Sequence, residues 1–393
     1  MHLTARKFVL LLLALALISM GMVGGFNLLV DWRGGYPALH LDAFEPLRYL
    51  DHDRVAKAEM ARRGDWQTVI LGSSRAKAGL PARHPFLATN RTCNLSIDAA
   101  RIGELAAMFE YARRHNRLEH VLLCLDFYMF SQGPQWVLDF PESRFNPNVN
   151  LFQYHCKALF SEGALKQNRE TVKRWLKKYQ PSPQNRNGFF ETSLPPGESQ
   201  RAVFDRTLRL MGEGYSTQVW DETTLECLRR IVRGCREDGI DLQIAILPVH
   251  ALDLELLYGM GRWSEFESWK RSMLEVLAEE GVEEKFGLWD FTGYAGPAGE
   301  PVPPPGDTTT RMTYYFENSH LTPVLGASVL DAIYGNPGAG FGAPLTPQSI
   351  ERHLAAIRAE RAAYAQTHAA EVAWVQSILD QVARPRKSAR ATG

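Results

Sequence analysis

A long apolar run near the N-terminus, with Asn27 as its one strongly polar residue, is the strongest constraint on what this chain can fold into. It covers residues 8–30 and follows two basic residues, Arg6 and Lys7. A helix of this length crosses a hydrocarbon layer of about 30 Å, and basic flanking residues favour the cytoplasmic side. The sequence therefore predicts a single-pass protein of the inner membrane, with a cytoplasmic N-terminus and an extracytoplasmic main domain. A cleaved signal peptide is the alternative interpretation.

The overall composition does not favour binding to nucleic acid. Lys and Arg together number 44, and Asp and Glu also number 44, so the formal net charge is zero. Hydrophobic residues make up 45% of the chain, which is enough for a large buried core. The 5 cysteines lack the spacing of metal ligands, and we interpret them as buried free thiols.

After residue 61 the sequence alternates between strand-like and helix-like segments. Short apolar runs predict strands at 66–72, 120–127, 242–248 and 285–291. Apolar residues at helical spacing predict helices at 102–115, 221–240, 263–281 and 322–335. This alternation is typical of an α/β domain, with a mostly parallel sheet that carries helices on both faces.

The predicted organisation of the chain has five parts. They are an anchor at 1–30, a stalk with a first helix at 31–61, an α/β domain at 62–345, one long C-terminal helix at 346–383 and a basic tail at 384–393. Residues 130–220 are too long for a simple crossover and are predicted to be an insertion. Within it, the basic helix at 164–180 either binds an anionic glycan or a lipid headgroup or, as we favour, is a solvated face.

Two serines directly follow the first predicted strand. Gly72 permits a sharp turn, and Ser73 and Ser74 come immediately after it. In an open parallel sheet, ligands bind beyond the carboxyl ends of the strands. A serine hydroxyl at such a point is a candidate nucleophile if a base activates it.

Two histidines are candidates for that base. Glu317 and His320 are three residues apart just before a predicted helix, a spacing at which the carboxylate can orient the imidazole and leave one ring nitrogen for Ser74. His250 follows another strand end and is an equally placed competitor.

Four segments together resemble the SGNH or GDSL hydrolase superfamily. They read ILGSSR, CNLSIDAARIGEL, VLLCLDFYMF and FENSHLTPVLG, at residues 70–75, 93–105, 121–130 and 316–326. The closest likeness is to its membrane-anchored envelope branch, which includes alginate O-acetylation proteins and the D-alanyl transfer protein of teichoic acids. The resemblance covers roughly residues 65–127 and 240–335. It implies a flavodoxin-like, three-layer α/β/α sandwich and ester chemistry without a metal or other cofactor.

Carried over residue by residue, the resemblance assigns roles to the strand-end groups. It implies that Ser74 is the nucleophile and that Ser73 occupies the position usually filled by Asp. It also implies that His320 is the base and that Glu317, in place of the usual Asp, orients it.

The oxyanion hole is where this sequence departs from the family. The family uses the N–H of the nucleophile, a Gly N–H and an Asn side chain, and the region beginning at Asn94 lacks that Gly. Asp126 lies in the third segment, at 121–130. An ionised carboxylate accepts hydrogen bonds but does not donate them. The predicted substitutes are the backbone N–H of Ser96 or Ile97 and the Asn94 side chain. Arg75 either binds a carboxylate or phosphate of the substrate or pairs with Asp126.

Two functions from different classes follow from the resemblance. The first is an enzyme that forms an acyl-serine at Ser74 and hydrolyses or transfers an acyl ester of a cell-envelope polysaccharide, beside a membrane acyltransferase partner. The second is a non-catalytic accessory or scaffold of a polysaccharide modification or export complex. The distance between Ser74 and His320 and the state of the oxyanion donors distinguish them.

Overall fold

The computed structural model describes residues 4–48, 53–181, 187–190, 192–194, 197–282, 285–335 and 341–383. The basic tail predicted at 384–393 lies outside these described residues. The first helix, α1 (Ala5–Val30), has 26 residues and is long and apolar enough to span a membrane.

A mostly parallel sheet forms the centre of the described structure. Its strands are β1 (Thr68–Leu71), β2 (Thr92–Asn94), β3 (His120–Leu125), β4 (Asp241–Ile246), β5 (Gly287–Asp290) and β6 (Ala343–Pro344). They lie in the order β2-β1-β3-β4-β5-β6, and all neighbours are parallel except β5 and β6. The residues of β1 are buried without alternation, as in a strand covered on both faces. The prediction of an α/β protein with a mostly parallel sheet is confirmed.

Helices connect and cover the strands. After α1 they are α2 (Asp53–Arg63), α3 (Ser74–Gly79), α4 (Pro85–Thr89), α5 (Ile102–His115), α6 (Leu151–Phe160), α7 (Glu162–Leu176), α8 (Gln200–Thr217), α9 (Leu225–Asp238), α10 (Ala251–Gly259), α11 (Trp263–Glu279), α12 (Pro323–Tyr334), α13 (Ile350–Thr367) and α14 (Ala369–Ala383). Contacts link α5 to α9 and α9 to α11. Helix α3 contacts α12 so closely that a Cβ atom on Gly326 would lie 1.9 Å from the Gly79 carbonyl oxygen.

The segment predicted to be one long C-terminal helix consists of two helices. Between α13 and α14, His368 leaves the helical conformation, with φ −123° and ψ 42°. A straight helix over residues 350–383 would be about 50 Å long. Because the chain breaks at His368, both Tyr364 of α13 and Val375 of α14 are buried, and α14 packs on α8 and α10.

The predicted insertion contributes three helices with different neighbours. Helix α8 packs against α10 and α14, so it belongs to the domain. Helices α6 and α7 pack against each other and against the C-terminal end of α1. The insertion therefore joins the domain to the apolar helix, in addition to the stalk.

Candidate active site

The candidate site lies where the carboxyl ends of the parallel strands meet. After β1 the chain passes Gly72 and enters α3, with Ser73 as its N-cap and Ser74 as its first residue. Ser73 Oγ accepts a hydrogen bond of 3.2 Å from the Arg75 N–H, and its side chain is buried. Ser73 therefore stabilises the turn by capping α3, while the half-buried Ser74 side chain faces the candidate site.

The loop before α12 brings His320 and Glu317 to Ser74. His320 Nε2 lies 2.7 Å from Ser74 Oγ, although 246 positions separate the two residues in the chain. The other ring nitrogen, Nδ1, is hydrogen-bonded to Glu317 Oε1. With its proton on Nδ1 and donated to Glu317, the neutral imidazole can accept the Ser74 hydroxyl proton at Nε2. The three groups have the arrangement of a nucleophile, a base and an orienting carboxylate.

Glu317 is fixed by backbone donors as well as by the imidazole. Its Oε2 accepts the Ser319 N–H at 2.9 Å, and its Oε1 accepts the His320 N–H at 2.9 Å. Burial opposes ionisation of this carboxyl, but the hydrogen bonds from His320 and Ser319 and the charge of Arg75 outweigh it and lower the pKa of Glu317. The carboxylate is therefore ionised at neutral pH.

Arg75 is a buried link between α3, β3 and the loop that carries His320. Its Nη1 donates to Asp126 Oδ1 at 2.7 Å, and its Nε donates to Ser319 Oγ at 3.3 Å. Its Nη2 lies 3.5 Å from Asp253 Oδ2. The sequence left two alternatives for Arg75, binding an anionic group of the substrate or pairing with Asp126. In the structure it pairs with Asp126.

Asp253 is the member of this network that sequence reasoning missed. It accepts hydrogen bonds from Asn318 Nδ2 at 2.8 Å and from the Tyr215 hydroxyl at 3.2 Å. Burial raises its pKa to about 6, although Arg75 and Asn318 favour the ionised form. The available signal was its position in the first turn of α10, the helix that follows β4 at the edge of the sheet where Ser74 lies.

We expect Arg75→Met to destabilise the fold by about 3–5 kcal/mol, because it leaves buried carboxylates without their cation. Asp253 binds its proton more tightly when folded, since its pKa is about 6 against an ordinary value of 3.8. The free energy of unfolding therefore falls as the pH rises from 3.8 to about 6 and Asp253 ionises, and Arg75→Met makes this fall steeper. Urea unfolding of the parent and the variant at pH 5 and at pH 7 measures both effects.

Arg209→Met is the matched control for this prediction. Arg209 is partly exposed and pairs with Asp205 one helical turn away, at 2.7 Å. The same substitution there should cost about 0.3–0.5 kcal/mol. Equal losses for the two variants would contradict a structural role for the Arg75 network.

The predicted substitutes for the oxyanion hole are occupied elsewhere. Asn94 Nδ2 donates to the Ala76 carbonyl at 3.0 Å, and Asn94 Oδ1 accepts the Ser96 N–H at 3.0 Å. The Ile97 N–H donates to the Gly72 carbonyl at 3.0 Å. These bonds fasten the loop after β2 to the turn and helix that carry Ser74. The expectation that the Ser96 or Ile97 N–H supplies the oxyanion contact is corrected, while Asn94 has a second amide hydrogen and its role stays a prediction.

The donor that remains beside the nucleophile is its own backbone N–H. Ser74 is the first residue of α3, and the first N–H groups of a helix have no acceptor within the helix. A helix N-terminus also favours negative charge. Asp126 is turned toward Arg75, and as an ionised carboxylate it would accept hydrogen bonds only.

His250, the competing base, has a structural role. It caps α10, where its Nδ1 accepts the Leu252 N–H at 3.2 Å. Its Nε2 therefore carries the proton and donates to the Glu300 carbonyl at 2.8 Å. The side chain is buried, which lowers its pKa to about 4. Because both ring nitrogens are occupied, the hypothesis that His250 is the base is corrected.

Ser74 lies between two cavities. One has a volume of about 350 Å³, and its walls include Lys77, Phe190, Leu194, Val203, Phe316 and His320. The other has a volume of about 220 Å³, and its walls include Arg101, Tyr128, Met211, Tyr215 and Gln218. Ser74 is therefore part of the wall of both cavities.

The insertion supplies part of these walls and supports the loop that carries the base. Gln200 of α8 donates from Nε2 to the Tyr315 carbonyl at 2.7 Å and accepts the Met312 N–H at 2.9 Å. Phe190 and Met211 also come from the insertion. Sequence reasoning missed these residues, because no motif marks them and they reach the site only through tertiary packing.

Comparison with known proteins gives no match, either to a family model or among curated proteins. The SGNH resemblance therefore remains a prediction from the four quoted segments, and function has to be argued from the geometry around Ser74. Within the described ranges, no group of three or more His, Cys, Asp or Glu side chains is arranged to hold a metal ion.

Proposed function

We propose that this protein is a membrane-anchored acyl-transfer enzyme of the SGNH type, in which Ser74 carries the acyl group as an ester. The observation that carries the proposal is the hydrogen-bonded line from Glu317 through His320 to Ser74, with 2.7 Å between His320 Nε2 and Ser74 Oγ. Such a base converts a weak hydroxyl into an effective nucleophile. The parallel sheet with its connected helices supports the three-layer α/β/α arrangement of this class.

In the first half of the reaction, Ser74 Oγ bonds to the carbonyl carbon of an ester while its proton moves to His320 Nε2. The carbonyl electrons shift to oxygen, and the Ser74 N–H donates to that oxyanion. Glu317 stays ionised and stabilises the imidazolium. The tetrahedral intermediate then expels the alcohol, whose oxygen takes the proton from His320 Nε2, and the acyl-serine remains.

In the second half, the acyl-serine is attacked by a hydroxyl whose proton passes to His320 Nε2. When the intermediate collapses, Ser74 Oγ leaves and recovers that proton. A sugar hydroxyl gives transfer, and water gives hydrolysis. The two cavities that Ser74 lines favour transfer, because one can hold a donor and the other an acceptor.

Within this proposal, the substrate is an ester of a cell-envelope polysaccharide and a membrane acyltransferase supplies the acyl group. Helix α1 anchors the enzyme in the inner membrane, and Arg6 and Lys7 keep its N-terminus on the cytoplasmic side. The domain then lies on the outer side, beside a membrane-bound acyl donor.

Labelling with a fluorophosphonate probe tests the proposal. This probe phosphonylates serines that a neighbouring base activates, so we expect one adduct on the peptide that contains Ser74 in the folded protein and none after denaturation. Mass spectrometry of the digested protein locates the adduct. The absence of an adduct, or an adduct confined to another residue, would contradict an active Ser74.

One observation favours an accessory function as the second candidate. The groups predicted to substitute for the family's oxyanion donors, at Asn94, Ser96 and Ile97, bond within the protein. Losing one oxyanion donor costs about 10²–10³ in rate. A protein that binds acylated polysaccharide but takes no fluorophosphonate would have this accessory function instead.

A further inference from the structure

We propose that the turn between α6 and α7 is a second membrane contact, with Phe160 at the outer hydrocarbon boundary of the bilayer that α1 crosses. The partner is the lipid surface itself. The inference rests on the proposed anchoring by α1, and it does not depend on the chemistry at Ser74.

Protein covers only the last part of α1. Its buried residues are Gly24, Asn27 and Val30, which lie on one face of the helix. The large apolar side chains from Phe8 to Met22 are 48–68% exposed, as expected for lipid-facing residues. The transition from lipid to protein along α1 therefore falls near Gly24.

The length of α1 agrees with this position of the boundary. From Ala5 to Gly24 the helix rises about 30 Å, the thickness of the hydrocarbon core. The remaining residues, through Val30, then lie at the level of the lipid headgroups. Asp31 follows directly, and Gly35 and Tyr36 donate their N–H groups to its carboxylate.

A buried polar cluster fastens α6 and α7 to α1 at this level. Asn27 Nδ2 donates to the Leu159 carbonyl at 2.7 Å, and Asn168 Nδ2 donates to Asn27 Oδ1 at 2.8 Å. The Trp32 N–H donates to Asn168 Oδ1 at 3.0 Å. These bonds fix the height of the α6–α7 turn relative to α1.

The turn is the part of these two helices closest to the bilayer centre. The Phe160 ring packs on Gly24, where a Cβ atom would lie 2.7 Å from its Cε1. Earlier in α6, His155 Nδ1 is 2.8 Å from the hydroxyl of Tyr36, which lies beyond the end of α1. Helix α6 therefore descends toward the membrane as it approaches Phe160.

The side chains around the turn suit the interface between hydrocarbon and headgroups. Phe160 is 46% exposed, and Lys166 and Arg169 of α7 are exposed near the level of Asn168. Lysine and arginine at this level can reach lipid phosphates. Exposed Glu162 beside Phe160 limits how deeply the turn can enter the bilayer, because burying a carboxylate in hydrocarbon is costly. The contact is therefore interfacial, and the turn does not cross the bilayer.

Photo-crosslinking of the full chain tests this contact. The photoreactive residue p-benzoylphenylalanine replaces Phe160 in protein reconstituted into vesicles of phosphatidylethanolamine and phosphatidylglycerol, and lipid adducts are detected by mass. Phe152 is the matched control, because it is a phenylalanine of the same helix, is 78% exposed and lies about 12 Å farther from the membrane. We expect a lipid adduct at position 160 and none above background at position 152.

A third position, Leu13 in the middle of α1, separates the possible failures. An adduct at 13 without one at 160 would overturn the second contact and leave the anchor. No adduct at 13 would overturn both, and equal adducts at 152 and 160 would indicate unspecific lipid binding. If substitution at 160 disturbs folding, exposed Gly163 on the same turn gives the same test. Fluorophosphonate labelling of the same samples reports on Ser74 independently.

Discussion

Ser74→Ala is expected to lower the hydrolysis of a synthetic acetyl ester by up to about 10⁶-fold. Alanine has no group that can form the acyl ester, and His320 Nε2 loses the hydroxyl that lies 2.7 Å away. The initial rate with saturating p-nitrophenyl acetate measures this loss. The fluorophosphonate adduct should disappear in parallel.

The adjacent serine provides the control for this prediction. Ser73 Oγ caps α3 by accepting the Arg75 N–H, and it takes no part in the contact with His320. Ser73→Ala should therefore cost about 1 kcal/mol of stability and keep the fluorophosphonate adduct. If both variants lose activity equally, the loss reflects damage to the turn, and the assignment of Ser74 as the nucleophile fails.

Glu317→Gln is expected to lower the same rate by about 10⁴-fold. Both carboxylate oxygens of Glu317 accept backbone N–H groups, and Oε1 also accepts the Nδ1 proton of His320. A glutamine has one carbonyl oxygen, so its NH₂ group must face either Ser319 or His320. When it faces His320 it donates to Nδ1, which forces the proton onto Nε2 and removes the acceptor for Ser74.

Glu300→Gln is the control that distinguishes the loss of His320 orientation from a general loosening of the loop before α12. Glu300 also accepts two backbone N–H groups, from Thr313 at 2.6 Å and from Tyr314 at 2.8 Å. It does not contact His320, so its variant should keep most of the activity. Comparable losses in the two glutamine variants would mean that Glu317 only shapes the loop.

Much of the sheet can be predicted from sequence because buried parallel strands are continuous apolar runs. The runs at 120–127 and 242–248 correspond to β3 and β4, and the strand ends direct attention to Ser74. The spacing of Glu317 and His320 is a local signal, since a side chain can reach a group three residues away. The structure brings these groups to Ser74, and their catalytic roles remain predictions.

The rest of the site depends on contacts that no local pattern encodes. Arg75 reaches Asp126 and Asp253 because α3, β3 and α10 converge at one edge of the sheet. His250 follows a strand much as Ser74 does, and only the structure shows that its Nδ1 caps α10 and its Nε2 donates to the Glu300 carbonyl. The predicted oxyanion donors depend on such contacts too, since the acceptors of Asn94 Nδ2 and of the Ile97 N–H are the carbonyls of Ala76 and Gly72, about 20 residues earlier in the chain.

The near-contact of Gly326 with the Gly79 carbonyl determines how rigidly the two halves of the proposed catalytic line are aligned. Gly79 ends the helix that begins with Ser74, and Gly326 lies in the helix that follows His320. With no side chain between them, the spacing of the two helices is set by main chain against main chain. The rotamers of Ser74 and His320 then decide the distance between hydroxyl and imidazole. Because residues of the insertion, such as Phe190 and Met211, only line the cavities, their packing can differ without a change in the spacing of these two helices.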